Sequence, residues 1–178
     1  MGTTNGNFYA LNTANGAMLW TYNLNDTIKS SAVLDPNDNI VFVGSDSGNF
    51  TALDMRDGTL KWFVNTGNVE STAALMGDNI VVTSNTGTVY VLNKYSDKEV
   101  WSYMPWYYLF NSPLTSPIVY GDDILAGDNN GNMYAMDFSR KVGAPSMYLY
   151  YVAAIIIVIF AGLIALIMLI GRRRKKGK

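Results

Sequence analysis

The stretch "GNFYALNTANGAMLW" at residues 6–20 returns as "GNFTALDMRDGTLKW" at residues 48–62, with Gly, Asn, Phe, Ala, Leu, Gly and Trp in register. Looser copies follow as "GTVYVLNKYSDKEVW" at 87–101 and "GNMYAMDFSRKVGAP" at 131–145. The leading glycines Gly6, Gly48, Gly87 and Gly131 stand 42, 39 and 44 residues apart. Leu11, Leu53, Leu92 and Met136 keep the same intervals, and Trp20, Trp62 and Trp101 keep the first two. A period near 40 confines the chain to stacked repeats, solenoids or propellers, because a unit of that size buries its apolar face only against the next one.

The upstream half of each period recurs too, as "SSAVLDPNDNIVFVGSDSGN", "STAALMGDNIVVTSNTGT" and "TSPIVYGDDILAGDNNGN". Each reads as a short apolar strand, a turn rich in Asp, Asn and Gly, a second strand, and a Gly-containing turn into the repeated motif. In the best-preserved unit the spacing predicts strands A, B, C and D over 31–34, 40–44, 50–54 and 60–64. Runs such as "NIVFVG" are apolar on both sides, as expected of a sheet covered on both faces. A repeated four-stranded antiparallel sheet of this kind is the blade of a β-propeller. In the motif, Gly16 follows Asn15 and Gly58 follows Asp57, pairs that permit a positive φ between strands C and D. Asn12, Asp54 and Asn93 are placed to hydrogen-bond the backbone just ahead of that turn, and the closing Trp offers a flat face and one N–H donor.

The segments "ALNTANGAMLW" (10–20), "ALDMRDGTLKW" (52–62) and "VLNKYSDKEVW" (91–101) resemble the tryptophan-docking motif of pyrroloquinoline-quinone-like (PQQ-like) propeller repeats, A-x-D-x-x-T-G-x-x-x-W. The resemblance covers about 130 of the 178 residues. It implies that each Trp packs on the backbone of the neighbouring blade's motif and locks blade to blade. The third copy departs with Val91 for Ala and Asp97 for Gly; the fourth, from Ala135, has neither the Gly nor the Trp. The family's quinoprotein dehydrogenases hold their cofactor with a vicinal cysteine pair, calcium ligands and a catalytic aspartate. With no cysteine in this chain, neither PQQ nor calcium is expected as a cofactor.

Charge divides the chain. All 14 Asp and Glu lie in residues 1–147 with only seven Lys or Arg, a net of −7, and the other six basic residues sit in the final "GRRRKKGK". Between them "MYLYYVAAIIIVIFAGLIALIMLIG" (147–171) carries no charge. Its length suits a bilayer of about 30 Å at about 1.5 Å rise per residue, and the cluster Arg172, Arg173, Arg174, Lys175 and Lys176 reads as a cytoplasmic stop-transfer signal. The expected fold class is therefore an all-β partial propeller of about three and a quarter blades followed by a single C-terminal transmembrane α-helix. The expected segments are propeller repeats over 1–137, a linker over 138–147, the helix over 148–171 and a basic tail over 172–178. Residues 1–147 should then be extracytoplasmic at a cell membrane, with the lipid bilayer as one partner and nucleic acid as none.

Histidine is absent along with cysteine, so the usual general base and the commonest metal ligand are missing. "GSDSGN" (44–49) and "GDNNGN" (127–132) resemble fragments of calcium loops but lack the regular carboxylate spacing and distal Glu that such loops need; they fall at turns where Asp, Asn and Gly are expected anyway. Asp122 and Asp123 likewise read as solvated turn residues. The least repetitive segment, "WSYMPWYYLFNSP" (101–113), adds Trp106, Tyr107, Tyr108 and Phe110 to the passage between blades, a candidate partner-binding loop. Asn25 and Asn49 head N-x-S/T sequons. Thirteen strands do not close a normal ring, which has four to eight blades. The expected partners are therefore the remaining blades, from a missing N-terminal part or from self-association. The expected function is a non-catalytic, membrane-anchored extracytoplasmic scaffold for binding or assembly; its competitor is the C-terminal part of a membrane-bound PQQ-dependent dehydrogenase.

Overall fold

The computed structural model describes residues 1–104 and 114–140. Its contacts divide the chain into a unit over Met1–Val142 and another over Gly143–Lys178, the second outside the described residues. Thirteen strands form four antiparallel sheets among the described residues. The first sheet pairs β1 (Asn7–Leu11) with β2 (Met18–Asn23). The second runs in order through β3 (Val33–Asp35), β4 (Ile40–Gly44), β5 (Asn49–Asp54) and β6 (Leu60–Asn65). The third repeats it with β7 (Ala74–Met76), β8 (Asn79–Thr83), β9 (Val89–Asn93) and β10 (Glu99–Tyr103). The last holds β11 (Ile118–Tyr120), β12 (Asp123–Gly127) and β13 (Met133–Asp137). The first strands β3, β7 and β11 of successive sheets are neighbours, the arrangement of propeller blades about an axis.

Packing follows from the two-sided apolar strands. All five residues of β4 are buried, and the apolar clusters lie between sheets. Phe8, Leu24 and Ile28 meet Val41, Val43 and Leu53 at the first junction. Phe42, Phe50 and Trp62 meet Ile80, Val82 and Leu92 at the second. Val81, Val89 and Val91 meet Ile124, Ala126 and Met136 at the third. Every blade junction is thus a small core, and burial of its apolar surface is what orders the stack.

Two features escape the sequence reading. Met1 and Gly2 stand where the last two residues of a B strand stand in the other blades. Gly2 bridges Phe8 six residues on, as Gly44 pairs with Phe50, Thr83 with Val89 and Gly127 with Met133. A Cβ on Gly2 would meet Ile28 at 2.4 Å, and one on Gly44 would meet Val69 at 2.4 Å. The A strand begins later than expected, at Val33, because Ser30 Oγ donates to the Gly44 carbonyl (2.8 Å) and accepts from the Gly44 N–H (2.9 Å), taking the place of a strand residue. Ser71 Oγ does part of the same at Thr83 (2.8 Å).

The expected fold class needs one correction. No α-helix occurs among the described residues, so none is long and apolar enough to cross a membrane, and the fold class supported is an all-β partial propeller alone. The expected transmembrane helix over 148–171, and Arg172 to Lys176 beyond it, lie outside the described residues. Hydropathy and length set how far an apolar run could reach, not whether it is helical.

Candidate functional site: the tryptophan clamps between blades

The C-to-D turns place the repeated polar residues. In the first blade the Asn12 N–H donates to the Ala17 carbonyl and the Gly16 N–H to the Asn12 carbonyl, both at 2.8 Å. Asn12 Oδ1 accepts from the Ala14 N–H (2.8 Å) and Asn15 Oδ1 from the Ala17 N–H (3.0 Å). Asp54 repeats the pattern, with Asp54 N–H to Thr59 O at 2.8 Å, Gly58 N–H to Asp54 O at 2.9 Å and Arg56 N–H to Asp54 Oδ1 at 2.9 Å. Gly16 and Gly58 have φ of 72° and 76°, a region closed to most side chains. In the third blade Asn93 keeps the side-chain bond, to the Tyr95 N–H (3.0 Å). There Asp97 stands in the glycine's place, and the backbone instead closes from the Ser96 N–H to the Asn93 carbonyl (3.2 Å). The Asx residue therefore braces the turn that follows it, rather than the backbone ahead of it.

The turns of the second and third blades meet the tryptophan of the preceding blade. The Trp20 indole N–H donates to the Met55 carbonyl at 2.9 Å, and the Trp62 indole N–H to the Lys94 carbonyl at 3.1 Å. Both acceptors directly follow the Asx residue of the next blade. The Trp20 ring lies so close to Gly58 that an added Cβ would sit 2.6 Å from it. Trp62 is buried beside Phe42 and Phe50, with ring centroids 5.8 and 6.2 Å away. Trp101 is half-buried, stacked on Tyr103 (5.8 Å) and edge-on to Phe138 (6.3 Å), the residue after Asp137 in the fourth blade. The structure thus brings each Trp of the motif to the Asx turn of the next blade.

A family model described as outer membrane protein assembly factor BamB matches residues 1–142. The chain belongs to this family. BamB from Moraxella catarrhalis is 26% identical, with a TM-score of 0.65 over 82% of this chain. The BamB-like chain here spans 42% of the length of that relative. Two computationally designed proteins share the fold: Ika4 (14% identity, TM-score 0.66, 76% of this chain and 82% of that one) and Ika8 (18%, 0.63, 77% and 42%). No curated protein sequence matches the chain.

Several acidic side chains of this BamB-like stack are engaged with its own donors. Asp128 of "GDNNGN" takes the Asn130 N–H (2.8 Å) and Asn132 N–H (2.9 Å) on one oxygen, and Asn132 Nδ2 (2.9 Å) and the Tyr134 hydroxyl (2.8 Å) on the other. Burial pushes this carboxyl up, but those donors together outweigh it and hold it below the ordinary range. Asp46 of "GSDSGN" pairs with Lys29 (2.8 Å), which also reaches Glu70 (2.9 Å). Among the described residues no three acidic side chains converge as a metal site would require. Asp122 and Asp123 are exposed. Of the sequon residues, Asn25 is exposed at φ 57° and Asn49 is half-buried on β5. Trp106, Tyr107, Tyr108 and Phe110 lie outside the described residues.

Asp54 carries the strongest charge pairing of the turns: Arg56 Nε and Nη2 donate to its two oxygens at 2.9 and 2.7 Å, and Lys61 lies at 3.1 Å. The Arg56 side chain and N–H, then Lys61, hold this carboxyl far below its usual range. Asp38, held down chiefly by Lys94, Asp57 by Thr59 and Asp137 by Ser139 shift the same way. A depressed folded pKa gives stability that is present above the unfolded value of about 4 and is lost as pH falls through the folded one. The melting temperature should therefore drop steadily below about pH 4, with Asp54→Asn already lowered at neutral pH and flatter on acidification. Melting curves from pH 7 to pH 2 check this; an acid limb unchanged by the Asn variant would remove Asp54 from the account.

The two turn glycines separate backbone strain from contact. Gly16→Ala should cost about 1–2 kcal/mol, because φ is positive while no atom lies within 4 Å of the new Cβ. Gly58→Ala meets the same strain plus the Trp20 ring and should cost about 1–3 kcal/mol more. Urea midpoints of the two variants give the difference directly, and equal losses would mean that Trp20 does not press on the turn.

Proposed function

We propose that this BamB-like chain is a non-catalytic, extracytoplasmic scaffold that holds other proteins in an assembly, working without PQQ, calcium or another cofactor. The observation that carries the reading is where its chemistry-bearing groups are used. Asp54, Asp128 and Lys94 are held by partners within the blades or between them, and the indoles of Trp20 and Trp62 donate across blade junctions. Catalysis needs a group free to exchange a proton or bond with a substrate; these groups already serve the stack. The family match, and a relative named BamB, support assembly as the role. A protein partner, or further blades, would complete the surfaces that the four sheets leave open.

Two measurements on the full-length protein test this. Addition of PQQ and calcium should give neither saturable binding nor dye reduction, and chemical cross-linking in the intact cell envelope should give discrete species with other proteins. Dye reduction would replace the scaffold by a dehydrogenase, and a chain that stays monomeric under cross-linking would remove the assembly role.

A further inference from the structure

The fourth residue of the repeated motif is tyrosine in three blades, Tyr9, Tyr90 and Tyr134, and threonine in the second, Thr51. At the second junction the Tyr90 ring and Val64 pack against the apolar cluster, and at the third Tyr134 and Tyr103 do the same. At the first junction Thr51 is too small to fill that place. A cavity of about 180 Å³ opens there between β2 and the hairpin of β5 and β6. Tyr22 and Phe63 line it together with Asn23, Asn25 and Asn49, and Thr51 lies deep in it at 3% exposure. Asn25 takes a repeat position where the next blade has Gly67; both have positive φ, 57° and 78°. Glycine alone would serve the backbone there, so asparagine adds an amide at the cavity. The Thr51 hydroxyl and the Asn25 amide have no hydrogen-bond partner among the described residues.

We propose that this cavity binds one neutral pyranose ring, as a free monosaccharide or as the end of a glycan. No residue lining it carries a charge, and an ionised ligand taken out of water needs a counter-charge. At roughly 30 Å³ per molecule the space holds about six waters, which is the volume of one hexose and too little for two. Sugar hydroxyls both donate and accept, as the asparagine amides and the threonine hydroxyl do. The C–H face of the ring meets the aromatic faces of Tyr22 and Phe63. Phe63 is 56% exposed, an aromatic ring at a position where the third blade has Ser102. A purely apolar ligand fits worse, because it cuts Thr51 and Asn25 off from water and gives them no partner. The site adds a ligand to the scaffold and does not rest on its assembly role.

The test is saturation-transfer NMR of the full-length protein with glucose, galactose, mannose and N-acetylglucosamine, and with glucuronate as a charged counterpart. The expected result is saturable transfer to the ring C–H protons of at least one neutral sugar, with glucuronate about tenfold weaker or worse. A disaccharide ending in the sugar that binds then separates the two sources. Transfer to its terminal ring alone assigns a glycan end, and loss of binding assigns a free sugar. Thr51→Tyr writes the residue of the other three blades into the second, so it should weaken binding about tenfold or more without lowering the melting temperature. Asn25→Gly, which copies Gly67, should also weaken binding about tenfold and carries the test if the tyrosine variant folds poorly. No saturable transfer from any neutral sugar, glucuronate bound as tightly as glucose, or binding unchanged in both variants overturns the proposal. Those outcomes leave the scaffold role standing, because dye reduction and envelope cross-linking judge it separately.

Discussion

Replacing Lys94 by alanine should lower the unfolding free energy by about 3–5 kcal/mol, because it strands a buried carboxylate. Lys94 sits on the third blade, just after Asn93, and its Nζ lies 2.8 Å from Asp35 and 2.5 Å from Asp38 on the second. Asp35 is 3% exposed and Lys94 8%, so water does little to relieve either charge once its partner is gone. The Tyr95 ring lies 5.2 Å from the same ammonium, and the Tyr95 hydroxyl donates to Asp38 at 3.1 Å. Asp35 and then Asp38 hold the Lys94 pKa above its ordinary value. A raised folded pKa gives stability that is complete below the unfolded value of about 10.4 and is lost as pH rises through the folded one. The loss in Lys94→Ala should therefore persist across the neutral range.

The chain supplies its own control for this pair. At the next junction the equivalent positions are Met76 and Phe138, which belong to one apolar cluster. Asp35→Met combined with Lys94→Phe transplants that pair and should recover most of the loss, to within about 1 kcal/mol of the parent, since a buried ion pair and a packed apolar pair are often close in free energy. Urea unfolding of the two single variants and the double variant measures the coupling. A Lys94→Ala loss under about 1 kcal/mol would show that the charges are solvated enough to do without each other. Alternating ionic and apolar pairs also gives similar blades distinct neighbours, so a blade docked in the wrong order meets a mismatch.

The repeat makes the blades legible in the sequence alone. Strand B over Ile40–Gly44 has the bounds that the spacing predicts, and C and D differ from it by one residue each. Those strands are set by local signals, apolar runs between Gly and Asx turns, which a single sequence displays. The spacing puts strand A two residues early because Ser30 pairs through its hydroxyl, a bond that hydropathy does not register. Met1 and Gly2 escape notice because two residues are too few to show a pattern, although "MGTTNGN" beside "VGSDSGN" and "AGDNNGN" holds the clue. The C-to-D turns are visible as Asx and Gly, but what packs on them is not: Gly16 and Gly58 look alike in sequence, and of the two only Gly58 lies against an indole. The ion pair spans 59 residues, and its one sequence signal is a change of sign, Asp35 and Lys94 at repeat positions where the next blade has Met76 and Phe138. The expected membrane helix comes from composition, which carries no information about which residues pair.

Trp62→Ala should cost about 3–5 kcal/mol, the range for removing a large buried aromatic side chain. It empties the space beside Phe42 and Phe50 and leaves the Lys94 carbonyl without the indole donor. Trp62→Phe keeps most of the ring contacts and loses the N–H, so about 1–2 kcal/mol should go with it. Trp20→Ala should fall between the two, because Trp20 is half-buried and grips through one hydrogen bond, Gly58 and a single ring partner, Phe8 at 5.9 Å. The order matters more than any one value. In a stack where each blade contacts only its neighbours, stability is a sum over junctions, and weakening the middle junction should uncouple the two sides before either unfolds. Trp62→Ala should therefore broaden the urea transition or split it into two steps, whereas Trp20→Ala should shift a single transition without changing its slope. If Trp62→Ala instead moves one sharp transition by no more than Trp20→Ala does, the indoles are fillers and the apolar strands alone hold blade to blade.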